Sequence, residues 1–512
     1  MKFSRRNDLS SYKRLHMALA MSCGELRQWG LVTALAGEYK VSRQFLYDNA
    51  ALLRRPFEML NEPQTENFDE FVHKLILCLR LHCNGSTEGI SKTLQAMNWG
   101  PDSTGHISGF LSATAKSCSI EIPCKETPVV LLLDEIFANG KPIFVVLEAT
   151  SHYILDIVLM PDRKADTWEG VLRRLQGAGV DIELLVKDQG SSLKAASQAL
   201  GLAERADLFH LLKPFDPYLP SLERHAYGAM EEEFERARVF ENRKCEESLE
   251  KGLVKYEVAC AETRKAMRAS DNYDALHQYL HDAFNSFTHE GRVRNKKMAE
   301  GDIEAALNLM ESEFSSHKGI AAAVKFLRRN LGDYWSYFEQ LEGIVLNQAN
   351  TLTEHALRAS CLAWQLARKS MAVKSAQLKK EFARQSQAQL DLTLTGADEK
   401  QKTVVQLLFA ALDANVRSSS PLEAINSIIR NHLNACRGQI TQESLTMLAF
   451  FLNHRSATRG KYNGSSPYER LTGIPEKESP IEQLLKSSPR AVKWAHRQPA
   501  QQLPESGLRN VA

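Results

Sequence analysis

Two aspartates stand where apolar runs end. Asp134 follows the five apolar residues Val129 to Leu133, and Asp188 closes the stretch DIELLVKD. A third acid, Glu423, lies in the first turn of SSSPLEAINSIIRNHL (418–433). There Leu422, Ile425 and Ile429 fall on one helical face, and Glu423, Asn426, Ser427 and Arg430 on the other. Strand-end carboxylates joined by one from a helix suit hard divalent cations, because Mg2+ prefers oxygen ligands. Two such ions about 3.5–4 Å apart activate an attacking oxygen and stabilise a leaving one during in-line phosphoryl displacement. Neutral ligands would not hold two dications together. Three carboxylates supply the charge and leave positions open for phosphate and water.

Each acid also has a plainer reading. An aspartate at a strand end often forms a turn or caps a helix, and Asp188 runs into Gln189-Gly190-Ser191-Ser192. Ser420 and Glu423 have the S-x-x-E spacing of a capping box, with Pro421 at the helix start. Glu135 should face away from Asp134. Glu148 and Asp156 are strand acids that imitate a site.

The surrounding elements decide whether these groups can meet. TPVVLLLDEIF reads as a buried strand, Asn139-Gly140 as a hairpin turn, and KPIFVVLEAT and YILDIVLMP as two returning strands. DTWEGVLRRLQGAG is a helix, DIELLVKD a fourth strand, GSSLKAASQALG a helix and ADLFHLL a fifth strand. Three antiparallel strands followed by helix-separated parallel ones is the order of an α/β ribonuclease-H-like mixed five-stranded sheet. In that order the first and fourth strands are neighbours, so Asp134 and Asp188 share one edge. A third carboxylate from the final helix would complete the site.

From residue 217 to 416 strands vanish, and segments rich in Glu, Lys, Arg and Ala read as a large all-helical insertion. The expected organisation is 1–65 and 66–125 as two helical units, 126–216 and 417–475 as the two parts of the sheet domain, and 476–512 as a partly disordered tail. In the first unit, LVTALAGEYKVSRQFLYDNAALL has helix-turn-helix form. Ser42 caps a second helix that presents Arg43, Gln44 and Tyr47, as a helix entering a DNA major groove does. Any small helical hairpin shares this pattern.

Several of these stretches together resemble the DDE transposases of bacterial insertion sequences, with an insertion as in the Mutator-like and hobo/Ac-like groups. The matching pieces are LLLDE, LLVKDQGSS, ADLFHLLKPF, SSPLEAINSIIRNHLNACRGQITQESLTMLAFFLNHR and GSSPYERLTG, over about 128–215 and 417–473. The resemblance implies that Asp134, Asp188 and Glu423 are the metal ligands for two Mg2+ ions, with Mn2+ as a substitute. Asp207 and His210 match the D-x-x-H spacing of such enzymes. With Asn426 they are read as groups that position the ligands. Asp207 and His210 also suit a structural hydrogen bond, or a metal site with Cys436 that lacks a fourth ligand.

The implied partners are transposon-end DNA and target DNA, with a homodimer or higher oligomer forming on DNA. Arg430, Arg437, Arg455, Arg459 and Lys461 form a basic segment suited to phosphates. Trp335, beside Tyr334 and Tyr337, is placed to stack on an unpaired base, although aromatics at helical spacing usually pack in a core, and Trp364 is the other candidate. Rival readings are a DNA-binding regulator and a domesticated, non-mobilising nuclease or integrase.

Composition agrees with an ordinary globular chain of 512 residues, 43% hydrophobic and 25% charged. A net charge of +2 requires any basic surface to be local. Nine scattered cysteines without a C-x-x-C pair argue against a disulfide framework or a zinc finger and fit a reducing cytoplasm, near the nucleoid for a DNA enzyme. The N-terminal apolar run is too short and broken for a signal peptide or a membrane span.

Overall fold

The computed structural model describes residues 9, 11–22, 30–50, 68–124, 127–242, 246–348, 350–436 and 439–488. Arg437 and most of the C-terminal segment lie outside them. The chain forms two compact units, Met1–Phe71 and Val72–Ala512.

In the first unit the helices Ser11–Ser22, Leu31–Glu38 and 43–50 enclose a small core of Met17, Met21, Leu35, Leu46 and Ala50. Ser42 accepts a hydrogen bond from the Phe45 amide at 3.1 Å and so starts the last helix. Arg43, Gln44 and Tyr47 are exposed on that helix, and Gln44 bonds Asp48 at 2.8 Å.

The second unit carries one five-stranded mixed sheet: β1 (Pro128–Ala138), β2 (Lys141–Glu148), β3 (Ile154–Leu159), β4 (Asp181–Lys187) and β5 (Glu204–Ala206). Their order is β3-β2-β1-β4-β5. β1 is antiparallel to β2 and parallel to β4, and β4 is parallel to β5. Helices α1 (Ala165–Gly177) and α2 (Ser191–Ala199) cross between the parallel strands. They cover Leu131, Leu133, Phe144 and Leu185 on one face, where Trp168 stacks on Phe144 with centroids 3.7 Å apart. Beyond β5 follow the short α3 (Leu208–Leu212) and, after the insertion, α4 (Ser420–Ala435) and α5 (Gln442–His454).

The edge strand β3 would offer unpaired backbone to solvent. Helix α5 covers it with two side-chain amides. Gln442 accepts from the Leu159 amide at 2.9 Å and donates to the Ile157 carbonyl at 2.7 Å. Asn453 does the same to both backbone groups of Ile154, at 2.7 and 2.9 Å.

Two strand boundaries need correction. Strand β1 does not end at Asp134. Its pairing with β4 stops there, while the hairpin with β2 carries it on to Ala138. ADLFHLL is not a strand throughout, because the Asp207 carboxylate caps α3 by accepting from the Phe209 amide at 3.0 Å, and β5 ends at Ala206. Residues 72–124 fall in the same compact unit as the sheet. Arg80 reaches the Cys436 sulfur at 2.6 Å, and His82 meets Phe451 edge-on. The start of the C-terminal segment is structured: Pro480–Ser487 is a helix with a capping box at Ser479 and Glu482, and it buries Ile481, Leu484 and Leu485.

The insertion is helical in its described residues. Two long antiparallel helices, Tyr218–Glu241 and Glu246–Ala283, are followed by shorter ones to Ala414. Its core is continuous with Ala206, Leu208, Leu211 and Phe215 at the end of the sheet. Arg205 of β5 is fully buried and ties the two together through Ser336, Gln340, Asn415 and the Val416 carbonyl.

Candidate active site

The strand register sets the level of the acids. Leu133 pairs with Lys187, and Lys187 pairs with Ala206. The next residues, Asp134, Asp188 and Asp207, therefore stand in one row across β1, β4 and β5, on strands about 4.8 Å apart. Alternation turns Asp134 away from the face of Leu131 and Leu133, towards α4. There the Asn426 amide donates to Asp134 Oδ2 at 2.6 Å, and the Glu135 amide donates to Oδ1 at 2.8 Å. Glu423 precedes Asn426 by three residues on α4, on the same side of the helix.

Glu423 is not spent on the helix start. The residue before α4 is Ser419, whose hydroxyl and amide both donate to Asp207, at 2.5 and 2.8 Å. No side-chain cap bond forms, so the capping-box spacing of Ser420 and Glu423 is not used. Instead Glu423 Oε1 lies 3.8 Å from His210 Nε2, and Oε2 lies 3.6 Å from Arg430. His210 Nδ1 bonds Asp207 Oδ2 at 2.5 Å. A line thus runs from buried Asp207 through His210 to Glu423. Asp188 accepts from the Gly190 amide at 3.0 Å, which is its turn-forming role. With Asp134 it lines a cavity of about 300 Å3, whose other walls include Arg163, Trp168 and Ser191.

Electrostatics couple these groups. Asp134, only 8% exposed, has its pKa raised to about 6, first by burial and then by the charges of Glu423 and Asp188; the Glu135 amide and His210 oppose the rise. Asp207 is more deeply buried, which opposes its charge, yet donors from His210 and Ser419 hold its pKa below the ordinary value. Burial alone would lower the pKa of His210, but Asp207, Asp134 and Asp188 raise it.

The donor set fits a divalent cation: oxygen ligands, excess negative charge and an open cavity on one side. Among the described residues, the ligand atoms of Asp134, Asp188 and Glu423 do not all come within 4.8 Å of one another.

Other acids are accounted for structurally. Glu135 pairs with Arg163, and Asp156 with Arg174. Glu148 accepts from the Thr150 and Ser151 amides at 2.9 and 2.6 Å. Asn426 is fully buried rather than on the outer face of its helix.

Arg430 is near Glu423. Arg455, Arg459 and Lys461 follow α5, whose Asn453 bonds the first residue of β3. Arg455 lies over Phe451, Lys461 bonds Asp413 at 2.6 Å, and Arg459 is exposed. Arg437 lies outside the described residues. Trp335 packs against the insertion core near Phe338. Trp364 is buried and donates to Asp413 at 2.8 Å. Sequence alone gives no role to Arg163 or to Ser419, although Ser419 opens the stretch SSPLEAINSIIRNHL; the fold brings Arg163 to the cavity and Ser419 to Asp207.

No family model matches the chain, and no curated protein matches it. Among solved structures, the Drosophila P element transposase strand transfer complex is similar over 70% of this chain and 100% of that chain, with 12% sequence identity and a TM-score of 0.29. A likeness of that degree carries no argument, and the site rests on its own geometry. No helix among the described residues is long and apolar enough to cross a membrane.

Proposed function

We propose that this chain is a DDE-type DNA transposase with a ribonuclease-H-like catalytic core, interrupted by a helical insertion. What supports the reading is that Asp134 of β1 shares a cavity with Asp188, the residue after β4, and is bonded by Asn426 of α4, three residues beyond Glu423. In this reading the three carboxylates hold Mg2+, or Mn2+ in its place. The bound metal supplies activation of the attacking oxygen and charge stabilisation of the leaving one.

The chain's own residues prepare that site. Asn426 and the Glu135 amide fix the Asp134 carboxyl. His210, steadied by Asp207, holds Glu423 near its place. Arg430, exposed and only loosely paired with Glu423, can turn to a phosphate oxygen. The first turn of α2, at Ser191 and Ser192, opens on the same cavity and favours an anion. Water and then a 3′-hydroxyl act as nucleophiles in turn, so no covalent enzyme intermediate is required. Arg43, Gln44 and Tyr47 would read the element's ends, and two copies would hold two ends together.

The test is strand cleavage on duplex DNA carrying the sequences that flank the coding region, with and without Mg2+. Wild type cleaves only with the metal, and Asp134→Asn, Asp188→Asn and Glu423→Gln each lose at least 1000-fold, on the order of 4 kcal/mol of transition-state stabilisation. Activity surviving in one variant removes that residue from the site.

A further inference from the structure

A second cluster lies outside the carboxylate edge. The helix Glu246–Ala283 carries His277 and His281 one turn apart, with their Nε2 atoms 3.2 Å from each other. Asp216, which directly follows Lys213–Phe215, places Oδ1 3.7 Å from His277 Nε2. Among the described residues, these three alone bring one ligand atom each within 4.8 Å of one another. Two imidazole nitrogens bound to one tetrahedral Zn2+ at about 2.0–2.1 Å lie about 3.4 Å apart, close to the observed spacing.

The surroundings fix the geometry. Tyr273, one turn before His277, stacks on its ring with centroids 5.8 Å apart. The Tyr273 hydroxyl donates to the Phe215 carbonyl at 2.6 Å, so the segment carrying Asp216 is fastened to the same helix as the histidines. The Asp216 side chain is 57% exposed, which leaves a solvent-facing position for a fourth ligand.

We infer that Asp216, His277 and His281 form a binding site for a transition-metal cation of the Zn2+ class, at the root of the helical insertion. The nitrogen-rich donor set distinguishes it from the all-oxygen site of Asp134, Asp188 and Glu423, which suits Mg2+. The inference does not depend on the proposed function. Its effect is to join the segment leaving the sheet to the far end of the long returning helix, locking the insertion's base.

The test uses metal-stripped full-length chain titrated with Co2+, read by d–d absorption, followed by displacement with Zn2+. Wild type takes up Co2+ with a tetrahedral spectrum, Zn2+ displaces it, and Zn2+ raises the Tm. His277→Gln and His281→Gln each weaken binding at least tenfold and abolish the Tm shift. Asp216→Asn, at an exposed position that cannot unfold the chain, also weakens binding. Absence of a Co2+ spectrum in folded wild type, or binding unchanged in Asp216→Asn and His277→Gln, overturns the site.

Discussion

Asp134 is the residue on which folding and chemistry pull apart. Its pKa moves from an ordinary 3.8 to about 6 in the folded chain. Between those values the folded state holds the proton more tightly than the unfolded one. Stability therefore falls as pH rises from about 4 to about 6, and stays lower above that. Two pKa units set an upper bound of about 3 kcal/mol. Asp134→Asn removes the buried charge, so in metal-free buffer it should stabilise the chain at pH 7 by roughly 1–3 kcal/mol. The gain should vanish near pH 4, as thermal unfolding at both pH values will show; a variant no more stable than wild type at pH 7 contradicts this. His210 acts one contact further out. His210→Ala should lower metal-dependent cleavage about 10–100-fold while the fold persists by circular dichroism. The types and strand-end positions of Asp134 and Asp188 were legible in the sequence, because an acid closing an apolar run is chemically conspicuous. The partner of Asp207 was not: Ser419 lies 212 positions away, and nothing local marks it.

At the scale of elements, the strand order followed from alternating apolar runs, the Asn139-Gly140 hairpin and the two crossover helices. Boundaries were less legible. Whether ADLFHLL extends as a strand or coils as a helix depends on where one carboxylate finds an amide donor, and Asp207 finds Phe209. Likewise the S-x-x-E spacing at Ser420 signals a cap that tertiary contacts override. The protection of β3 by α5 is a further long-range feature. Asn453→Leu would leave both backbone groups of Ile154 without their side-chain partners. It should cost about 1–3 kcal/mol in urea unfolding, while a change below 0.5 kcal/mol would mean that water replaces the amide freely.

Across the whole molecule, the insertion is part of the folded core rather than an appendage. Its apolar interior runs on into Ala206, Leu211 and Phe215, and Arg205 bonds Asn415 at 2.8 Å across 210 positions. Arg205→Met should therefore destabilise the chain by about 3–5 kcal/mol, because Asn415, Gln340 and Ser336 lose a shared buried partner; chemical denaturation measures it. Helical character from 217 to 416 was legible from composition, but which helices pack on the sheet depends on contacts without sequence period. The same holds for Lys461, which reads as a phosphate ligand and is found on Asp413. The central claim is that three distant carboxylates act as one divalent-cation centre. It is tested most directly by calorimetric titration of Mn2+ into full-length chain carrying His277→Gln, so that the nitrogen-rich cluster does not contribute. The account predicts Mn2+ binding that Asp134→Asn, Asp188→Asn and Glu423→Gln each weaken at least tenfold. Isotherms that superimpose across all four proteins would contradict it.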